Sequence, residues 1–254
     1  MDKYELITLR EYEVVKSNEL IQRTRYTFTP QQQKALLYAI SQLKPDQKEF
    51  EYQLFDIGEF CEICGIDRYS GTNHKDLKDA LQGLRDKSMW VTTPDGCETL
   101  LAWFSNVKIQ SKTGKVGIRF DEEMKPYLLD LKGRYTKYKL IYTLGMKSKY
   151  SIRLYELLKS LDHCKELISF DLDYFKERMG AEYNRWVDVR RFVVEPALKE
   201  INELTDLNIT FDAIKRGRAV HKIEFTISPK KDFIEQIQTR VNIEKRLNKG
   251  GCCG

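Results

Sequence analysis

The sequence predicts an α+β protein in which one helix-and-hairpin module is used twice. Three observations carry this. Stretches with helical apolar spacing alternate with stretches in which every second residue is apolar, and the run Tyr183–Ile227 shows both. The segment FDIGEFCEICG (55–65) matches FDLDYFKERMG (170–180) at Phe, Asp, an aliphatic residue, Phe, Glu and Gly in identical spacing. Further pairs follow in order, Leu37-Tyr38 with Leu154-Tyr155 and Ala80-Leu81 with Ala197-Leu198, at offsets of 115 or 117 residues. An ordered series at nearly constant offset is the signature of a duplication.

Composition agrees. A chain of 254 residues can hold two small domains, each with its own core. With 41% hydrophobic and 32% charged residues it reads as folded rather than disordered. No run approaches the roughly 18 apolar residues of a membrane helix, and the start MDKYELITLREYEVV has no signal-peptide core. The expected location is the cytoplasm, where six cysteines read as reduced thiols. Cys61 and Cys64 have CxxC spacing, but no second pair lies nearby to complete a zinc site. The second copy carries Lys176 and Met179 at those positions, so the module does not depend on metal there. No metal and no cofactor is expected.

In order, residues 12–23 form a short amphipathic segment. Thr29 then caps a helix with Pro30 at its first position, running to about Leu43. A strand near Phe50–Phe55 leads to Asp56, the cap of a helix ending at Gly65 in a left-handed terminus. A helix follows from about His74 to Lys87, then strand-like runs at 88–93, 100–110 and 116–120, and a helix near 122–131. The second copy repeats the order: helix Lys147–Leu161, strand Leu167–Phe170, helix Asp171–Gly180, then the two-period stretch. Each copy thus reads helix, short strand, helix, turn, helix, hairpin, which is a helix-turn-helix with a wing. The expected division is a first winged-helix domain at 1–132 and a basic linker at 133–146. A second winged-helix domain follows at 147–230, with a C-terminal helix and tail at 231–254.

The copies differ in charge. In the first, Lys75 and Lys78 on the third helix are offset by Asp76 and Asp79. In the second, Arg185, Arg190 and Arg191 face only Asp188 over Tyr183–Phe192. Its wing carries Lys215, Arg216, Arg218 and Lys222 against Asp212. Seven basic residues and no acid lie between Leu131 and Tyr155, Lys147 and Lys149 among them, with tyrosines interleaved. Arginines at a helix start and a basic hairpin tip suit duplex DNA, the helix in the major groove and the tip on phosphates. The second module is therefore the expected main reader, and the first an auxiliary DNA contact or a protein–protein surface. Pro196 removes a helical hydrogen bond. Either the third helix kinks near Phe192–Val193, or it begins close to Glu195 and leaves the arginines on the preceding turn.

SKYSIRLYELLKS (148–160), VEPALKEINELTDLNITFDAIKRGRAVHKIEFTI (194–227) and VVKSNELIQ (14–22) resemble the Rep_3-type plasmid replication initiators, which bind repeated origin sequences called iterons. The resemblance covers nearly the whole chain to about residue 228. It implies two winged-helix domains, iteron binding as a monomer, opening of adjacent AT-rich DNA, and recruitment of host origin-binding proteins and the replicative helicase. It also implies dimers that repress the initiator's own gene. Carried over, Arg190 and Arg191 would read the groove and Lys215, Arg216 and Arg218 would hold the backbone. Phe192 stands where relatives often have a third basic residue. A winged-helix transcription regulator uses the same scaffold at different sites. A rolling-circle nuclease needs an HxH metal pair, whereas His74, His163 and His221 are widely separated. No Walker-type GxxxxGK[ST] occurs, so ATP-driven melting is not expected either, and with the nuclease set aside no enzyme is expected.

Overall fold

The structure is a computed structural model and describes residues 12–24, 27–44, 46–64, 73–92, 96–110, 112–161, 166–230, 239 and 242–243. The chain forms two compact units, Met1–Leu144 and Gly145–Gly254.

The first unit begins with strand β1 (Glu13–Ser17) and helix α1 (Asn18–Arg23), where a single amphipathic segment was expected. Ser17 explains the switch: its hydroxyl accepts from the Leu20 amide at 3.1 Å and caps the helix. Helix α2 (Pro30–Ser41) starts with a full capping box, in which Thr29 and Gln32 exchange backbone-to-side-chain bonds. Strand β2 (Gln53–Asp56) runs into α3 (Ile57–Cys64), with Asp56 Oδ1 accepting from the Gly58 and Glu59 amides. Gly65 lies outside the described residues. Helix α4 (Asn73–Arg85) precedes two hairpins, β3 (Ser88–Thr92) with β4 (Glu98–Ala102), and β5 (Phe104–Gln110) with β6 (Lys115–Phe120). The run expected at 100–110 breaks at Trp103, which is fully buried. A short helix α5 (Lys125–Leu128) follows.

Of the linker expected at 133–146, all but its last two residues are part of this unit. Strand β7 (Tyr135–Lys139) pairs antiparallel with β1, and a short helix α6 (Ile141–Leu144) closes the unit. Thr136 and Tyr138 turn inward while Tyr135, Lys137 and Lys139 turn out, a period of two that the density of basic residues masked in the sequence. Lys137 pairs with Glu13 across the two strands. The tyrosines between Leu131 and Tyr155 accordingly form no exposed row, for Tyr138, Tyr150 and Tyr155 are buried.

The second unit holds helix α7 (Lys149–Lys159), strand β8 (Leu167–Asp171) and helix α8 (Leu172–Met179). The third helix runs Trp186–Leu204, and the wing pairs β9 (Leu207–Arg216) with β10 (Ala219–Pro229). Gly180 ends α8 in the left-handed region, φ 59°, where a side chain would be strained. The duplication is visible in the sheets. Their strand orders are β2-β6-β5 and β8-β10-β9, both antiparallel, and among the described residues the inserted β3–β4 hairpin occurs in the first unit alone. The two phenylalanines of the repeated motif meet in each copy, Phe55 with Phe60 at 5.6 Å and Phe170 with Phe175 at 6.2 Å between ring centroids. The Asp of the motif, which ends its strand, pairs with a lysine on the wing strand in both, Asp56 with Lys115 and Asp171 with Lys222. Cys61 and Cys64 are buried on α3, as small core residues should be. Of the C-terminal segment expected to be helical, only Thr239, Asn242 and Ile243 are described; Ile243 is buried and Lys230 bonds the Thr239 hydroxyl. The GGCCG tail lies outside the described residues. No helix among those described is long and apolar enough to cross a membrane.

Candidate nucleic-acid interface

The third helix of the second unit has three parts: α-helical Trp186–Val189, a π turn at Arg190–Val194, and α-helical Glu195–Leu204. Its inward residues explain the middle part. Val189, Val193, Ala197 and Ile201 recur every fourth position, and all four are fully buried. On an α-helix of 3.6 residues per turn, that spacing drifts around the axis by about 40° at each step. The wider π turn takes up the drift and keeps the stripe on one face. It also receives Pro196, which sits just past it with no amide to donate; the Glu195 amide bonds the Arg190 carbonyl instead. The proline therefore accompanies a π turn inside one continuous helix. Arg190 and Arg191 lie on that helix and not on a turn before it, while Arg185 is its extended N-cap residue.

Burial of one face leaves the other to solvent. Arg185, Arg190 and Arg191 are exposed. Arg185 Nε donates to Asp188 at 2.7 Å, and that bond and charge raise its pKa still further above the ordinary guanidinium value. Arg190 Nε donates to Glu195 at 2.7 Å, a partner not anticipated from sequence. Arg191 has no ion pair among the described residues, and its guanidinium lies 5.3 Å from the centroid of the Phe192 ring. Phe192 in turn stacks on Tyr183 at 5.5 Å. Tyr183 also hydrogen-bonds Tyr150, which opposes the upward push of burial on the Tyr150 hydroxyl.

The wing is held to this helix at two places. Trp186 meets Phe211 edge-on at 6.3 Å. The Asn202 amide bonds the backbone of Ile209 both ways, Nδ2 to the carbonyl at 2.8 Å and the Ile209 amide to Oδ1 at 2.7 Å. Asn202 thus continues the strand's pairing with a side chain. Beyond this base the wing narrows to a two-residue turn, Gly217-Arg218, between Arg216 and Ala219. Gly217 has φ 66°, and nothing lies within 4 Å of where a Cβ would sit, so only its backbone angle calls for glycine. Lys215, Arg216 and Arg218 are exposed and free of ion pairs among the described residues. Lys222 is set back from the tip, half-buried, with its ammonium 3.9 Å from Asp171.

Lys147 and Lys149 are exposed at the start of α7. Their backbone there is fixed by a buried acid that the sequence pattern did not single out. Glu200, on the inward side of the third helix, accepts from the Lys147 and Ser148 amides at 3.0–3.2 Å and from the Ser151 hydroxyl at 2.6 Å. It holds the two residues that lead into the helix and places its negative charge at the helix N-terminus. A carboxylate one position before an apolar-stripe residue was the available signal. Lys75 and Lys78 in the first unit are exposed on α4.

Residues 13–159 match the family described as "Initiator Replication protein, WH1", and residues 171–227 match "Initiator Rep protein, WH2". The chain is 28% identical over 255 aligned positions to a "Replication initiation protein" of Escherichia coli, covering 93% of this chain and 78% of that one. Its fold is similar to a crystal structure of Pi initiator protein in complex with iteron DNA, with a TM-score of 0.69 at 17% identity over 87% of this chain and 99% of that one.

Proposed function

Since this chain belongs to the family of initiator replication proteins, built from two winged-helix domains, we propose that its second module grips the repeats of a plasmid origin. The helix Trp186–Leu204 enters the major groove and the wing tip lies on the phosphates. The observation that carries this reading is the set of Arg191, Lys215, Arg216 and Arg218, cations without an ion pair among the described residues. They are exposed on a helix and wing that Trp186 and Asn202 lock together. Arg185 and Arg190 add charge once their carboxylate partners yield to phosphate or base. Lys147 and Lys149 extend the basic surface at the start of α7, and Lys75 and Lys78 give the first module an auxiliary contact.

The chain acts in the cytoplasm by binding rather than by catalysis, and duplex opening draws on binding and bending energy. Host origin-binding proteins and the replicative helicase join the opened site. A dimer of this chain represses its own gene. The test is a footprint across the DNA that flanks the coding sequence. Protection of tandem direct repeats beside an AT-rich tract, with unpaired bases appearing in that tract, is the expected result. Protection of a lone inverted repeat would make the protein a transcription regulator instead.

A further inference from the structure

Among the exposed basic residues at the start of the third helix stands an apolar one with no part in the contacts described so far. Val187 lies in the first turn and is 65% exposed, more than any other large apolar residue among those described. It is one helical turn before Arg191 and so shares its face. A valine so placed has no partner in the module's own core, which Val189, Val193 and Val194 fill from the other side. Water is a poor neighbour for it, and the surrounding charge selects what replaces the water. Arg185, Arg190 and Arg191 bracket it and attract a polyanion, not an apolar protein face. Within the major groove of duplex DNA the apolar group on offer is the 5-methyl of thymine.

We propose that Val187 reads thymine through that methyl group, and so sets one base of the preferred repeat. The inference rests on the groove-reading role given above to this helix. Arg191 is held by the Phe192 ring at a neighbouring position, where a guanidinium recognises guanine. Together they read adjacent parts of the sequence by different chemistry: a hydrogen-bonding fork beside a methyl-sized apolar contact.

The experiment uses the full chain and synthetic duplexes of the direct repeats that flank the coding sequence. Each thymine is replaced in turn by uracil, which keeps every hydrogen-bonding group and removes only the methyl. Wild type should lose about fourfold in affinity at one thymine position, the worth of one buried methyl group. Val187→Ala should bind the thymine and uracil duplexes alike at that position and keep the wild-type response elsewhere. Being exposed, Val187 can be truncated without disturbing the fold, which a circular dichroism spectrum checks. If wild type prefers the repeats over random DNA yet ignores every uracil, or if Val187→Ala keeps the uracil penalty, the assignment of Val187 is overturned while the groove reading stands. If wild type binds random DNA as well as the repeats, both fall together.

Discussion

The two wings differ in how far they run past their sheets. In the first, four residues separate Gln110 from Lys115, the lysine that pairs with Asp56. In the second, seven residues separate Ile214 from Lys222, the lysine that pairs with Asp171. The additional length carries the second hairpin past its sheet, and Lys215, Arg216 and Arg218 all lie within it. The first turn offers only Lys112. The sheets, the motif phenylalanines and the Asp–Lys register are shared, so the modules diverged at the surface while their cores stayed alike. A duplicated scaffold lets one copy specialise without risking the fold, because a wing tip touches nothing that the core needs.

The strongest challenge to this contrast is made at the third helices. Arg190→Ala with Arg191→Ala is expected to lose about 2–6 kcal/mol of preference for the repeats over random duplex, the worth of two bidentate base contacts. Lys75→Ala with Lys78→Ala on α4 should leave that preference in place. Competition binding of the full chain measures both. A loss confined to the α4 variant would hand the reading role to the first module.

Next in size is a contrast inside the modules. Gly83 stands 117 residues before Glu200, the offset that relates Ala80 to Ala197. Both positions adjoin the start of their module's first helix. A Cβ on Gly83 would meet Gln32 Nε2 at 2.1 Å, so the Gln32 side chain occupies the space there, whereas Glu200 fills it in the second copy. Glu200→Ala strands two amides and a hydroxyl and should cost about 3 kcal/mol in urea unfolding. Gly83→Ala displaces only the end of a flexible side chain; a weakened cap and a better helix former, each worth about 1 kcal/mol, oppose each other. Equal effects from the two substitutions would deny that the acid is the device of the second copy alone.

Smaller and uniform is the effect of exchanging the turns. Replacing residues 215–221 by the Ser-Lys-Thr-Gly of 111–114 removes three cations and returns one. The slope of log K against log salt should fall by roughly 2, with equal losses on repeats and random DNA. A change in preference without a change in slope would place the wing on bases rather than on phosphates.

Much of this could be read from the residues, for identifiable reasons. Caps and periods are local, so Thr29, Asp56 and the stripe from Val189 to Leu204 announced their elements directly. The matching motifs gave the duplication because both copies bury the same phenylalanines. What stayed hidden depended on distant partners. The strand at Tyr135–Lys139 resembles a linker until Glu13–Ser17 is beside it. Asn202 and Glu200 look like helix-surface residues until Ile209 and the start of α7 come into reach. The pairing of Arg190 with Glu195 needs the π turn, which no propensity signals.

That turn supplies the finest test, because the first module's helix has Asp79 where the second has Pro196. Two causes for the π turn can be separated. If the missing amide of Pro196 dictates it, Pro196→Ala lets the helix tighten, which turns the residues before it relative to those after it and shifts the base preference. If the fourfold spacing of Val189, Val193, Ala197 and Ile201 dictates it, tightening would carry Val189 away from the core. Unburying one valine costs about 1.5–3 kcal/mol, and a single recovered backbone hydrogen bond returns only about 1 kcal/mol. Packing outweighs the bond. Pro196→Ala is therefore expected to keep the π turn, to change stability by less than about 1 kcal/mol, and to leave the uracil and guanine responses at the helix start where they were; a moved response would show that the proline aims the arginines.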